Sequence, residues 1–207
     1  MSSYGIFENK DKTKKLVFYP CPKNANSSAK LFFAKHLNIS NHFIFLGDTI
    51  PRFLQKKEDF KNKKNLVNFL PNKQPFIKVD ADYKCCIIRD PIKRFVSTYK
   101  NRILYHKDED FYNHSVDMVI EKLENNLFEN KHFLPQTFFL GNDLSYYDFY
   151  ANVNNIVFFE KKINEFFNKN IKFPRIQTGG SQYSVDLNSS QKNKIYKIYK
   201  LDFDFIG

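Results

Sequence analysis

Residues Tyr83–Lys100 read YKCCIIRDPIKRFVSTYK, and the order of their parts decides the fold. YKCCIIR (Tyr83–Arg89) is an apolar run of strand length, continuous enough for a central strand covered on both faces of a parallel sheet. It ends at Asp90 and Pro91, an acid suited to cap a helix and a proline at the first helical position. The helix they open carries Ile92, Phe95, Val96, Tyr99 and Ile103 at helical spacing. Lys93, Arg94, Ser97, Lys100 and Arg102 occupy its other faces. A buried strand running directly into an amphipathic helix is the repeating unit of an α/β sheet.

The same alternation extends outward in both directions. Lys15–Pro20 (KLVFYP) is a second strand, followed by a loop over Cys21–Asn26 and a helix from Ser27 that carries Ala29, Leu31, Phe32 and Ala34 near one face. Residues 41–80 are less regular, and KKEDFKNKKN within them reads as a solvated helix or loop. Downstream, a helix is expected over Val116–Asn125 and a third strand over Ile156–Phe159 (IVFF), with KKINEFF as a short helix. Thr178-Gly179-Gly180-Ser181 must be a loop, and a last helix begins near Ser189. The expected class is α/β, with a central, mostly parallel sheet flanked by helices.

The 207 residues suit a single domain over 1–207, with 1–14 as a loosely ordered extension. The 24 Phe and 12 Tyr supply bulky core material, which argues against disorder over most of the length. Lys and Arg number 33 against 22 acids, and the net charge of +11 favours an anionic ligand. Nucleic acid, a phosphorylated nucleotide, an acidic glycan and a membrane surface all meet that description. Cys21, Cys85 and Cys86 are an odd set with no disulfide pattern, and the adjacent pair reads as core strand. No run of about 18 apolar residues occurs, so no transmembrane helix is expected. The start, MSSYGIFENKDKTKK, lacks the apolar centre of a secretory signal, and a cytoplasmic location is expected.

Two segments carry candidate chemistry. Pro22-Lys23-Asn24-Ala25-Asn26-Ser27-Ser28 lies between a strand and a helix, where unpaired amides carry partial positive charge and accept anions. Lys23 adds a mobile charge there, and Ser27 and Ser28 add hydroxyls. The spacing is not that of a Walker A loop, and a surface lysine before a capped helix gives the same pattern. Arg89, at the end of the buried strand, faces the ligand edge of an open sheet. Ser97, two turns into the next helix, is expected to share one phosphate with it, which suits the planar two-donor fork of a guanidinium. Pairing of Arg89 with a nearby acid is the plainer alternative.

Taken together, PKNANSS and RDPIKRFVSTY resemble the nucleotide motifs of the sulfotransferases, above all the carbohydrate (glycosaminoglycan) branch. There a Pro-Lys strand–loop–helix holds a 5′-phosphosulfate and an Arg-Asp-Pro-x-x-Arg-x-x-Ser-x-Tyr stretch holds a 3′-phosphate. Weaker matches follow in Phe158-Phe159-Glu160, resembling a strand-plus-Glu segment, in QTGGS, resembling a loop that closes over the nucleotide, and in Tyr199-Lys200-Leu201-Asp202-Phe203. The resemblance implies a P-loop-like three-layer fold and 3′-phosphoadenosine-5′-phosphosulfate (PAPS) as donor, with the 3′,5′-bisphosphate PAP as product and no metal. It implies donor binding by Lys23, Asn24, Ala25, Asn26, Ser27, Ser28, Arg89 and Ser97, with Lys23 also stabilising the leaving group. KHFLPQ (131–136) is similar to a His-aromatic-x-Pro-Gln stretch of the carbohydrate enzymes. It makes His132 a candidate base and Gln136 a residue to orient a sugar hydroxyl, so both are expected at the acceptor. His36 and His42 are rival bases, although His36 on the first helix reads as structural; His106 and His114 read as solvated. The acceptor implied is a hydroxyl on a glycan or glycan-like molecule.

Two other classes remain open from the sequence. A kinase-like phosphate-binding protein shares the strand–loop–helix site, but needs a glycine-rich loop and acids for Mg²⁺ that are not evident here. A nucleic-acid-binding module suits the charge, but the basic residues are scattered and no recognition motif occurs, so no nucleic-acid partner is expected.

Overall fold

The computed structural model describes residues 4–38, 76–128, 130–176 and 179–207. The KKEDFKNKKN segment, His42, and Gln177 and Thr178 of the QTGGS stretch lie outside them. One sheet holds four strands in the order β1 (Gly5–Glu8), β2 (Lys15–Tyr19), β3 (Tyr83–Ile88), β4 (Phe149–Asn152). β2, β3 and β4 are parallel, with Phe18 opposite Cys85 and Cys85 opposite Phe149. β1 is antiparallel to β2, so the sheet is mixed. Residues 1–14, expected as a loose extension, therefore include an ordered edge strand, and its Phe7 is buried against Phe33 with ring centroids 4.1 Å apart.

The described residues form seven α-helices: α1 (Asn26–His36), α2 (Pro91–Thr98), α3 (Val116–Glu124), α4 (Gln136–Leu140), α5 (Val157–Phe167), α6 (Ser189–Ile198) and α7 (Lys200–Ile206). The side-chain alternation of the strands sorts these helices. Leu16, Phe18, Cys85, Ile87, Phe149 and Ala151 meet α1 and α5 on one face of the sheet. Val17, Tyr19, Cys86 and Ile88 meet α4 and α7 on the other. α2, α3 and α6 enclose a separate apolar cluster around Phe95, Phe111 and Phe133. No helix among the described residues is long and apolar enough to cross a membrane.

The junction that decided the reading of the fold forms as the sequence predicts. The Asp90 carboxylate accepts from the Lys93 amide at 2.8 Å, and Pro91 takes the first helical position. α2 then widens into a π-helical turn over Tyr99–Tyr105, a rare geometry concentrated at functional sites.

IVFF is not a strand. It enters α5, where Phe159, Ile163 and Phe167 are buried four residues apart, while Val157 and Phe158 are 72% and 50% exposed. A period near four suits a helix, and four apolar residues in a row do not distinguish it from a strand. The third parallel strand is the preceding FYAN, too short and too polar to stand out. Glu160, matched to a strand-plus-Glu segment, instead sits in the first turn of α5 and accepts from the Phe173 amide at 2.7 Å.

The two glycines of the QTGGS stretch dock on the π-helical turn. Asn101 Nδ2 donates to the Gly179 carbonyl at 3.2 Å. Gly180 has φ +89°, and a Cβ there would lie 2.7 Å from the Lys100 carbonyl oxygen. Gly180→Ala combines left-handed strain with a backbone clash and is expected to lower stability by about 1–3 kcal/mol. The urea midpoint of the variant measures this.

Candidate functional site

The site begins where β2 ends. Lys23 and Ala25 both adopt left-handed backbone conformations, at φ 69° and 55°. Neither is glycine, so each is held there at a cost of about 1–2 kcal/mol. Asn24 between them secures the loop. Its side chain is 1% exposed and donates through Nδ2 to the Ile87 carbonyl and to Gln136 Oε1, both at 2.9 Å. The loop is thus tied to the end of β3 and to the start of α4.

α1 leaves this loop with Ala25 at its cap position and no side chain capping it. Its first i to i−4 bond runs from the Ala29 amide to the Ala25 carbonyl, so the amides of the first turn point out of the helix end. Ser28 is buried, and its Oγ accepts from the Ile176 amide at 3.2 Å.

Cations surround the loop. Arg89, at the end of β3, donates from Nη1 to the Lys23 carbonyl at 2.8 Å, while its Nε is buried without a partner among the described residues. Arg94, on α2, is only 2% exposed. It donates from Nε to the Pro22 carbonyl at 3.1 Å and from Nη2 to the His132 carbonyl at 3.3 Å. Lys23 forms no ion pair with a described residue. Burial, with the charges of Arg89, Arg102 and Arg94, depresses its ammonium pKa to about 8. Positive groups brought together away from water repel and resist ionisation, and an anion placed among them relieves both effects.

His132 approaches from the segment before α4. Its carbonyl accepts from Arg94 and from Thr98 Oγ1, the latter at 3.2 Å. Its amide donates to Asn130 Oδ1 at 3.0 Å, and its Nδ1 lies 2.8 Å from the same oxygen. Burial and the charges of Arg102, Lys23, Lys131 and Arg94 push its pKa down to about 3, so the ring is neutral throughout the ordinary pH range.

Gln136, expected at the acceptor, is fully buried. Its Oε1 accepts from Asn24 Nδ2 and from the Arg89 amide at 3.3 Å, and its Nε2 donates to the Arg89 carbonyl at 2.9 Å. Through these bonds, and with no exposed surface, it joins the β2 loop to the end of β3. Asp202, on α7, closes the network by accepting from the Gln136 and Thr137 amides at 2.7 and 2.8 Å.

The structure therefore brings Lys23, Asn24, Arg89 and His132 into one neighbourhood, beside the α1 terminus that carries Ala25, Asn26, Ser27 and Ser28. Ser97 is half-buried on α2, one turn after Arg94. His36, at the far end of α1 and about 15 Å along the helix, is stacked on Phe167 and has no place in the site. The structure adds Arg94 and Asp202 to this neighbourhood, neither of them expected there as a binding or catalytic residue. The spacing Arg89-Asp90-Pro91-x-x-Arg94 was the available signal for Arg94. Among the described residues no cluster of His, Cys, Asp or Glu is placed to hold a metal ion.

A family model described as "Sulfotransferase family" matches residues 9–206, nearly the whole chain. No curated protein and no solved structure matches.

Proposed function

The chain belongs to the sulfotransferase family, and from that premise we propose that it transfers a sulfonyl group from PAPS to a hydroxyl of a carbohydrate. The observation that carries this reading is the convergence of Lys23, Arg89 and Arg94 at the open end of α1, where among the described residues Lys23 has no carboxylate partner and Arg89 Nε is unpaired. Those features fit a ligand with several anionic groups. The P-loop-like three-layer arrangement and a cytoplasmic location belong to the same reading.

The donor supplies the activated sulfonyl group and a phosphate leaving group. Lys23 and the first-turn amides of α1 hold the 5′ end and favour the charge that develops on the bridging oxygen. Arg89 and Ser97 hold the 3′-phosphate. His132 Nε2 takes the proton of the acceptor hydroxyl as its oxygen bonds to sulfur, its basicity restored when the anionic donor offsets the cations that depress it in the free protein. Arg94 touches neither substrate: by bonding the Pro22 and His132 carbonyls it sets the donor loop and the base at a fixed separation.

Thermal shift with adenosine 3′,5′-bisphosphate, compared with ATP and Mg²⁺, tests the donor. A ligand at 100 times its Kd adds about 2.7 kcal/mol of stability. The bisphosphate is expected to raise Tm clearly in the parent protein and not in Arg89→Ala. A response to ATP with none to the bisphosphate would sink the proposal.

A further inference from the structure

We propose that Asn130 is a positioning residue that, anchored by Asp108 and Arg102, locks His132 in the Nδ1–H tautomer and leaves Nε2 as the nitrogen offered to the acceptor. The inference rests on the reading of His132 as the base and adds how its reactive nitrogen is chosen.

The orientation of the Asn130 amide follows from two partners whose roles cannot reverse. The His132 backbone N–H only donates, so the atom 3.0 Å from it is the amide oxygen. The Asp108 carboxylate only accepts, so the atom 2.7 Å from its Oδ2 is the amide nitrogen. Asn130 Oδ1 then lies 2.8 Å from His132 Nδ1 and requires a proton on that nitrogen. A neutral imidazole with Nδ1–H has its lone pair on Nε2.

The relay is fixed at its far end. Arg102 donates to Asp108 through Nε at 2.6 Å and Nη2 at 2.7 Å, a bidentate pair. Arg102 comes from the π-helical turn and Asn130 is buried, so a rigid element and a covered amide stand behind the ring.

The choice of an amide has a chemical consequence. The charged groups acting on His132 are Lys23 from the β2 loop, Arg94 from α2, Arg102 from the π-helical turn and its neighbour Lys131, all positive. Asp108 is one residue removed, and its charge is paired with Arg102. Asn130 therefore sets the tautomer without adding a negative charge that would draw a second proton to the ring. A carboxylate at position 130 would do both.

Nitrogen-15 NMR of labelled imidazoles in the ligand-free parent protein reads the tautomer directly, with His132→Ala identifying the signals. The expected result is a protonated Nδ1 and an unprotonated Nε2; a protonated Nε2 overturns the proposal. In Asn130→Ala both tautomers are expected, with kcat lower on the order of 10²-fold and bisphosphate affinity unchanged. If Asn130→Ala keeps one tautomer and full kcat, Asn130 does not position the ring. Transfer that survives His132→Ala would remove the base from the proposed function alone, because the tautomer signal is read without turnover.

Discussion

Lys23→Met is expected to lower kcat by about 10²–10³-fold while making the ligand-free protein more stable. The first effect follows from removing the charge assigned to the leaving group. The second follows from the cost of holding that charge. Burial and three guanidinium groups depress the Lys23 pKa from 10.5 to about 8. The folded state therefore disfavours the ammonium that the unfolded chain keeps. Allowing for the part of the side chain that water still reaches, the gain from a neutral side chain of similar length is about 1–3 kcal/mol near pH 7.

The sign with pH is fixed by the same shift. Between pH 8 and 10.5 the unfolded chain holds more protons at Lys23 than the folded one, so this residue makes stability rise with pH across that window. The parent protein is expected to gain stability relative to Lys23→Met between pH 8 and 9.5, measured by urea denaturation of both. Its kcat/KM is expected to fall as pH rises through about 8, where the ammonium loses its proton in the free enzyme. A variant less stable than the parent at pH 7 would show that the charge is compensated within the ligand-free fold.

Asp202→Ala is expected to have the largest effect on stability, a loss of about 3–5 kcal/mol. Asp202 is fully buried, and its two oxygens accept from the Gln136 amide, the Thr137 amide and Thr137 Oγ1, at 2.7, 2.8 and 2.8 Å. Burial raises its pKa, and Arg94 with these donors opposes that rise. Alanine leaves two amides of α4 unpaired and a buried guanidinium without the carboxylate that acts on it. It also releases Gln136, and with it Asn24 and the Arg89 backbone, so bisphosphate affinity should fall together with stability. Asp202→Asn keeps one acceptor and is expected to lose less. A urea midpoint for Asp202→Ala within about 1 kcal/mol of the parent, the ordinary scale of a single substitution, would mean that α4 is capped adequately without it.

The two predictions fall on opposite sides of what the sequence reveals. Lys23 is conspicuous because it lies next to proline in a strand–loop–helix segment, a local pattern. Asp202 was visible only as part of a C-terminal match, and nothing around it states that its carboxylate reaches a helix 66 residues away. The difference between the expected strand and the observed helix at IVFF has the same origin. Whether Phe159 points into a sheet face or belongs to a strand depends on α1 and the Phe149 strand, which no window of four residues contains.

By itself the sequence determined two βα units, Lys15–Tyr19 with Asn26–His36 and Tyr83–Ile88 with Pro91–Thr98, and set Lys23 and Arg89 at their junctions. Strand runs, the Asp90 cap, the Pro91 start and the helical spacing of Phe95 and Tyr99 are short-range properties of the chain. Only the tertiary structure decided which polar side chains are buried as braces of the β2 loop and which are left without partners among the described residues. Gln136, expected at the acceptor, is buried, and Arg94, expected on a helical face other than the apolar one, is only 2% exposed. A buried guanidinium or amide is stable only where acceptors from distant segments meet it, and the carbonyls of Pro22 and His132 lie 72 and 38 residues from Arg94.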